Sequence, residues 1–367
     1  MNIDFYNPVL IVSGKDCFKN YKSYRDFGGR CLVVCGRSSA RLCGALADAE
    51  NGLSAAGVQF EVFDKVEPNP LLSTVYEGGQ VARKFGAEFI LGIGGGSPLD
   101  AAKAVAVFAA NPLLSLDDIF NAPRKNALPL LAVGTTAGTG SEVTPYSVLT
   151  VPKIENKRSL SGSDIYPKIA FLDPSYTLFL PVSQTMATAV DALCHAVEGY
   201  FMKKANPVSD ALAEKCIPML CDGIRDILSG NLGFSVREKL LYASTVAGMV
   251  ISRTGTGFVH STGYMLTYHH NLPHGHANAY FLADFVEFMG KAAPERAAHI
   301  LSLCGVGDSD GLFELLSSCP EMKLDMKLDP ATLSAYADKT IKAKNVSNAI
   351  SEISRDELYK ILLKRLG

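Results

Sequence analysis

The chain predicts an α/β domain built on a mostly parallel sheet, followed by an all-helical domain. Three observations carry that expectation. Short apolar runs alternate with Ala/Leu-rich segments through the first half, which implies right-handed strand–helix–strand crossovers. From about Pro181 the strand-like runs stop, and long Ala/Leu/Met-rich segments continue to the C-terminus. At 367 residues the chain is too long for one ordinary core, and two domains are expected at 1–180 and 181–367.

In chain order, Arg30–Cys35 is a β-rich run ending at Gly36, and Ser39–Ala56 reads as a helix. Val58–Phe63 alternates like a strand, and Leu71–Phe85 has helical spacing. Ala87–Ile93 is an apolar strand that enters a glycine cluster, with a helix over Leu99–Ala110 behind it. Leu128–Val133 reads as a buried strand, and Ile169–Pro174 precedes the boundary near Leu180–Pro181. No internal repeat or low-complexity stretch interrupts the series.

Bulk composition narrows the function classes. Hydrophobic residues make up 48% and charged residues 20%, with a net charge of −2 and no Lys/Arg block, so no nucleic-acid or anionic-membrane partner is expected. The nine cysteines are scattered without a CxxC pair, which suggests reduced thiols in the cytoplasm rather than a disulfide framework. The N-terminus lacks the pattern of a signal peptide. The most apolar helix candidate, Leu99–Ala110, is short and contains Asp100 and Lys103, so no membrane span is expected.

The chemistry concentrates in the second half, where six of seven histidines fall between 195 and 276. Asp191 and His195 are four residues apart and share a face if their segment is helical. His260 and His274 follow, fourteen residues apart. One carboxylate with three imidazoles suits Fe²⁺, Zn²⁺ or Co²⁺, and suits Mg²⁺ or Ca²⁺ poorly. A catalytic metal site is expected there.

Two glycine loops follow apolar strands in the first half. Gly94-Gly-Gly-Ser-Pro-Leu-Asp100 opens a helix whose first turn holds Pro98, a position that tolerates proline. Glycines permit close backbone approach, and free N–H groups at a helix start favour a pyrophosphate, although an ordinary tight turn reads the same way. The loop is not GxGxxG, so it is no Rossmann fingerprint. The second loop packs four hydroxyl side chains and three glycines into residues 134–141. Two such loops at the carboxyl ends of parallel strands favour a nucleotide site.

Taken together, the first loop, Thr135-Thr-Ala-Gly-Thr-Gly-Ser-Glu142, Asp191 with His195, and His260 through Pro273-His-Gly275 resemble the iron-dependent alcohol dehydrogenase family. The resemblance implies an N-terminal dinucleotide-binding α/β domain and a C-terminal helical metal- and substrate-binding domain. It implies Asp191, His195, His260 and His274 as ligands of Fe²⁺, with Zn²⁺ or another divalent metal as alternatives. It implies hydride transfer between NAD(P)(H) and a small alcohol or aldehyde, and a homodimer or larger assembly. Cofactor contacts map to Asn69, Gly95, Gly96, Ser97, Asp100, Thr135, Thr136 and Thr139, with Lys157 near the ribose. Two other readings stay open: a metal-dependent lyase or cyclase of the dehydroquinate synthase type, and a non-catalytic scaffold that keeps the fold.

Two departures from the family pattern shape the expectations. Where many NAD-using members place an aspartate after the first strand, this chain has Gly36, followed by Arg37 and Ser38. Losing that carboxylate removes repulsion of a 2′-phosphate, which Arg37 and Ser38 could bind, so NADP is favoured over NAD. Four residues after His260 the family usually has a histidine, and here stands Tyr264, with Thr267 at a family glycine. A phenol of ordinary pKa near ~10 is a poor proton shuttle at neutral pH. Tyr264 and His270 are therefore the catalytic candidates, with His269 an alternative relay and simple packing beside the site the plainer reading of both histidines. Glu198, three residues after His195, could orient that imidazole, while Cys194, His276 and His299 are given no role.

Overall fold

The computed structural model describes residues 3–124, 126–320 and 322–367. The chain forms two compact units. One comprises Asn7–Leu180 with Gly233–Leu241, and the other Pro181–Leu232 and Tyr242–Gly367 together with the N-terminal residues up to Tyr6.

The first unit contains β1 (Leu10–Ser13), β2 (Arg30–Gly36), α1 (Ser39–Leu42), α2 (Ala45–Ala55), β3 (Gln59–Val66), α3 (Leu72–Phe85), β4 (Phe89–Gly94) and α4 (Gly96–Ala110). Beyond these come β5 (Leu130–Gly134), β6 (Tyr146–Val151), β7 (Asn156–Ser161) and β8 (Ile169–Leu172). Six strands make one parallel sheet in the order β1-β8-β5-β4-β2-β3. Every residue of β4, β5 and β8 is buried, as continuous apolar runs covered on both faces require. Side chains alternate between two cores. Leu32, Val34, Ile90 and Leu130 pack with Val105 and Phe108 of α4 on one face. Cys31, Val33, Leu91, Val133 and Phe171 pack with Leu46 and Leu53 of α2 on the other.

Strand order reverses between β2 and β4, because the chain runs outward from β2 to β3 and then returns to the other side of β2. Ligands of open α/β sheets bind at the carboxyl ends of strands beside such a reversal. Here those ends are Gly36 and Gly94, and a β-carbon built on Gly36 would lie 3.7 Å from Pro98 Cγ.

Three features differ from the sequence reading. The helix expected over Ser39–Ala56 breaks into α1 and α2, because Gly44 takes a left-handed φ of 87°. The edge strand β1 is mostly exposed and so lacks a burial pattern to read. The antiparallel hairpin β6–β7 turns through Pro152–Glu155, with Glu155 at φ 47°, instead of through an Asn-Gly or Asp-Gly signature.

The second unit is helical: α5 (Val182–Tyr200), α6 (Pro207–Leu228), most of α7 (Phe234–Thr254), α8 (Phe258–His270), α9 (His274–Ala279), α10 (Leu282–Gly290), α11 (Pro294–Leu303), α12 (Ser309–Ser317), α13 (Pro330–Thr340) and α14 (Arg355–Leu366). Helix α5 is its axis, since every residue from Thr185 to Tyr200 is buried. Asn206 starts α6 with a reciprocal capping box to Ser209 and fixes the chain reversal after α5. Among the described residues no helix is long and apolar enough to cross a membrane.

Candidate functional site

In the helical unit, α5 places Asp191 and His195 one turn apart on one buried face, as their spacing predicts. His260, the third residue of α8, closes on them, and one ligand atom each from Asp191, His195 and His260 lies within 4.8 Å of the others. His260 Nε2 is 3.7 Å from Asp191 Oδ1, and His274 Nε2 is 3.9 Å from the same oxygen. These separations are too long for hydrogen bonds. Two ligands at ~2.1 Å from one tetrahedral cation would lie roughly 3.4 Å apart, close to what is seen. His260 Nε2 is buried and has no hydrogen-bond partner among the described residues. The donor set therefore fits a divalent transition metal.

The groups behind these residues were only partly foreseen. Glu198, which the sequence left either orienting His195 or lying as a plain helix-face carboxylate, instead bonds His260 Nδ1, because α8 starts directly against α5. Burial disfavours a protonated His260, but Glu198 and Asp191 outweigh it and raise the imidazole above its ordinary value. Asn278 donates from Nδ2 to Asp191 Oδ1 at 3.0 Å, a contact the sequence reading missed. Its signal was the spacing of four from His274 on α9. Thr267, noted only as a departure from a family glycine, is buried with its hydroxyl 3.3 Å from His274 Nδ1.

Tyr264 stacks on His274 with centroids 5.0 Å apart and planes at 15°. His270 pairs through Nε2 with the Tyr336 hydroxyl at 2.9 Å. It lies ten residues beyond His260 on α8, roughly 15 Å along the axis, so the relay considered for it is not retained. His269 is exposed and stacks on the same Tyr336. His276 bonds the Lys323 carbonyl, and His299 pairs with Glu214. Cys194 is wholly buried.

In the α/β unit the two glycine loops touch. A β-carbon on Gly95 would sit 2.8 Å from Thr136 Oγ1, and one on Gly96 would sit 2.5 Å from Thr139 Cγ2. Thr135 donates its N–H to Gly94 O at 3.0 Å, while its hydroxyl is buried without a partner among the described residues. An unsatisfied hydroxyl beside the start of α4 fits a phosphate-bearing ligand. Asn69, at a left-handed φ of 57°, receives Lys157 Nζ on its side chain at 2.7 Å and donates its N–H to Ser97 Oγ at 3.1 Å. These three predicted cofactor residues thus converge.

Asp100 turns its carboxylate inward, accepting from Ser141 Oγ at 2.6 Å and Val148 N at 2.9 Å. Its place is to brace the loops. Lys103, unremarked from sequence except as a charge, is fully buried and donates to Ser141 Oγ, Thr144 Oγ1 and Tyr146 O. Burial drives its ammonium down to about 8, with Asp100 and Glu142 opposing the shift. At the end of β2, Gly36 is buried while Arg37 and Ser38 are exposed. The Arg37 side chain makes no hydrogen bond or ion pair among the described residues.

Comparison with known proteins agrees with both halves. The profile described as iron-containing alcohol dehydrogenase matches residues 8–174, and that of the family's C-terminal part matches residues 185–366. The chain is 33% identical over 378 residues to the NADPH-dependent butanol dehydrogenase of Clostridium saccharobutylicum, covering 97% of this chain and 96% of that protein. It is 31% identical over 304 residues to the NAD-dependent methanol dehydrogenase of Bacillus methanolicus, covering 82% and 80%. An iron-containing alcohol dehydrogenase structure from Thermotoga maritima superposes with a TM-score of 0.92 at 35% identity, covering 99% of each chain. The chain belongs to the iron-containing alcohol dehydrogenase family. It is an oxidoreductase acting on CH–OH donors, with a metal and a nicotinamide cofactor. The lyase or cyclase reading and the scaffold reading are not favoured.

Gly275 sets how closely α9 approaches α5, because a β-carbon there would overlap the carbonyl oxygen of Ala187. Gly275→Ala must push His274 away from Asp191. The expected cost is about 3 kcal/mol, or a thermal midpoint lower by roughly 4 °C, with metal content well below one per chain. Wild-type midpoint and metal content in the variant would contradict this geometry.

Proposed function

We propose that Asp191, His195, His260 and His274 hold one divalent cation, iron in keeping with the family. The reaction is the interconversion of a small alcohol and its aldehyde, with NADP(H) preferred to NAD(H). The observation that carries this reading is the convergence of the Asp191, His195 and His260 ligand atoms within 4.8 Å, with His274 Nε2 beside Asp191.

A cation held there supplies a Lewis acid that stabilises negative charge on the substrate oxygen, and the nicotinamide supplies or accepts the hydride. The chain's own residues bind and orient. Gly95, Gly96, Ser97, Thr135, Thr136 and Thr139 form the dinucleotide cradle, braced from behind by Asp100. Asn69 and Lys157 stand at the ribose position, held by their mutual hydrogen bond. Tyr264 is assigned to the substrate wall on its stacking against His274. Its phenol can both donate and accept hydrogen bonds. In the purified protein, NADPH-linked aldehyde reduction is expected to disappear on chelation and to return with anaerobic Fe²⁺. Activity that survives complete metal removal would refute the reading. The same aldehyde series run on Tyr264→His checks the wall, and an unchanged preference would remove Tyr264 from it.

The NADP preference rests on Gly36, since relatives are named for either cofactor. A β-carbon on Gly36 meets nothing closer than 3.4 Å, so the missing carboxylate reflects no lack of space. Exposed Arg37 and Ser38 are free to receive a 2′-phosphate. Gly36→Asp is expected to lower the NADPH-to-NADH ratio of kcat/KM at least ~10-fold, about 1.4 kcal/mol, mainly through a higher KM for NADPH. A strong preference of the wild type for NADH would contradict the assignment. The reading extends to a cytoplasmic homodimer or larger assembly, which unpaired thiols suit and which sedimentation of the purified protein decides.

A further inference from the structure

Glu198 is wholly buried on α5, seven residues after Asp191 and three after His195. Its two oxygens have different work. Oε1 accepts from the backbone N–H groups of Gly257 and Val259, both at 2.9 Å, and so holds the start of α8. Oε2 accepts from His260 Nδ1. A carboxylate can only accept, so Nδ1 must carry the ring proton. In the neutral ring the lone pair is then on Nε2, the atom that is buried without a hydrogen bond and lies 3.7 Å from Asp191 Oδ1.

We propose that Glu198 is a positioning residue that fixes His260 as its Nδ1–H tautomer and so preforms the Nε2 lone pair for the cation. The assignment rests on the metal site described above. It singles out His260 from His274, whose Nδ1 meets the Thr267 hydroxyl at 3.3 Å. A hydroxyl donates or accepts, and imposes no tautomer. Glu198 thus sets the His260 ring and couples that setting to the placement of α8.

Glu198→Gln separates this role from mere packing. The amide oxygen can still accept from Gly257 and Val259 N–H, which keeps the start of α8. The amide NH₂ then faces Nδ1, which must accept, so the proton moves to Nε2 and blocks it. Zn²⁺ affinity, measured on the full chain by competition with a chromophoric chelator, is expected to fall about 10- to 100-fold. The thermal midpoint of the metal-free protein should stay near that of the wild type. Equal Zn²⁺ affinity in variant and wild type would overturn the assignment. Nitrogen-15 NMR of the histidines reads the tautomer directly and does not depend on the variant folding. In the Zn²⁺-loaded wild type, His260 should show a protonated Nδ1 and a coordinated Nε2, and coordination through Nδ1 would overturn it. A wild type that binds no Zn²⁺ would instead overturn the metal site itself.

Discussion

Two carboxylates, Asp191 and Glu198, lie buried on one face of α5, and the helical unit is organised around satisfying them. An isolated buried carboxylate is costly, so each must find donors or a cation. Glu198 takes two backbone N–H groups and an imidazole, which forces α8 to begin where it does. Asp191 takes the Asn278 amide from α9 and otherwise faces imidazoles. The approach of α9 depends on Gly275, which leaves room for the Ala187 carbonyl. Three helices are thus fixed by the groups that would hold the metal, and the site and the local packing are one problem with one solution.

The α/β unit solves a parallel problem with opposite charge. Lys103 is buried in α4, and all three of its donors go to the segment that contains the second glycine loop. Asp100, one turn earlier, bonds the same Ser141 and the backbone of β6. The two loops are held against each other by these side chains, and Gly95 and Gly96 let them close, because β-carbons there would run into Thr136 and Thr139. A cradle for a dinucleotide needs this division, with side chains spent on rigidity and backbone left for the ligand.

How much of this was legible depends on the range of each signal. Periodicity read the parallel strands and the helical half, because burial on both faces gives continuous apolar runs. It failed at α1–α2, where one left-handed glycine outweighs a good helical pattern, and at β1, which is exposed. The spacing of Asp191 and His195 was legible because both sit on one helix, and the family resemblance supplied His260 and His274. The partner of Glu198 was not legible. Its neighbour in sequence is His195, but the ring it bonds lies 62 residues away, brought there by the tertiary path of α8. Lys103 was noted only as a charge in an apolar helix, because its acceptors lie some forty residues downstream in a loop whose conformation no local rule sets.

The central claim is that the buried carboxylate–imidazole cluster is a metal centre. Anomalous diffraction at the iron edge from crystals of Fe²⁺-reconstituted protein tests it most directly. The account predicts one strong peak per chain within bonding distance of Asp191, His195, His260 and His274. Active, reconstituted protein with no peak there, or with its only peak elsewhere, would contradict it.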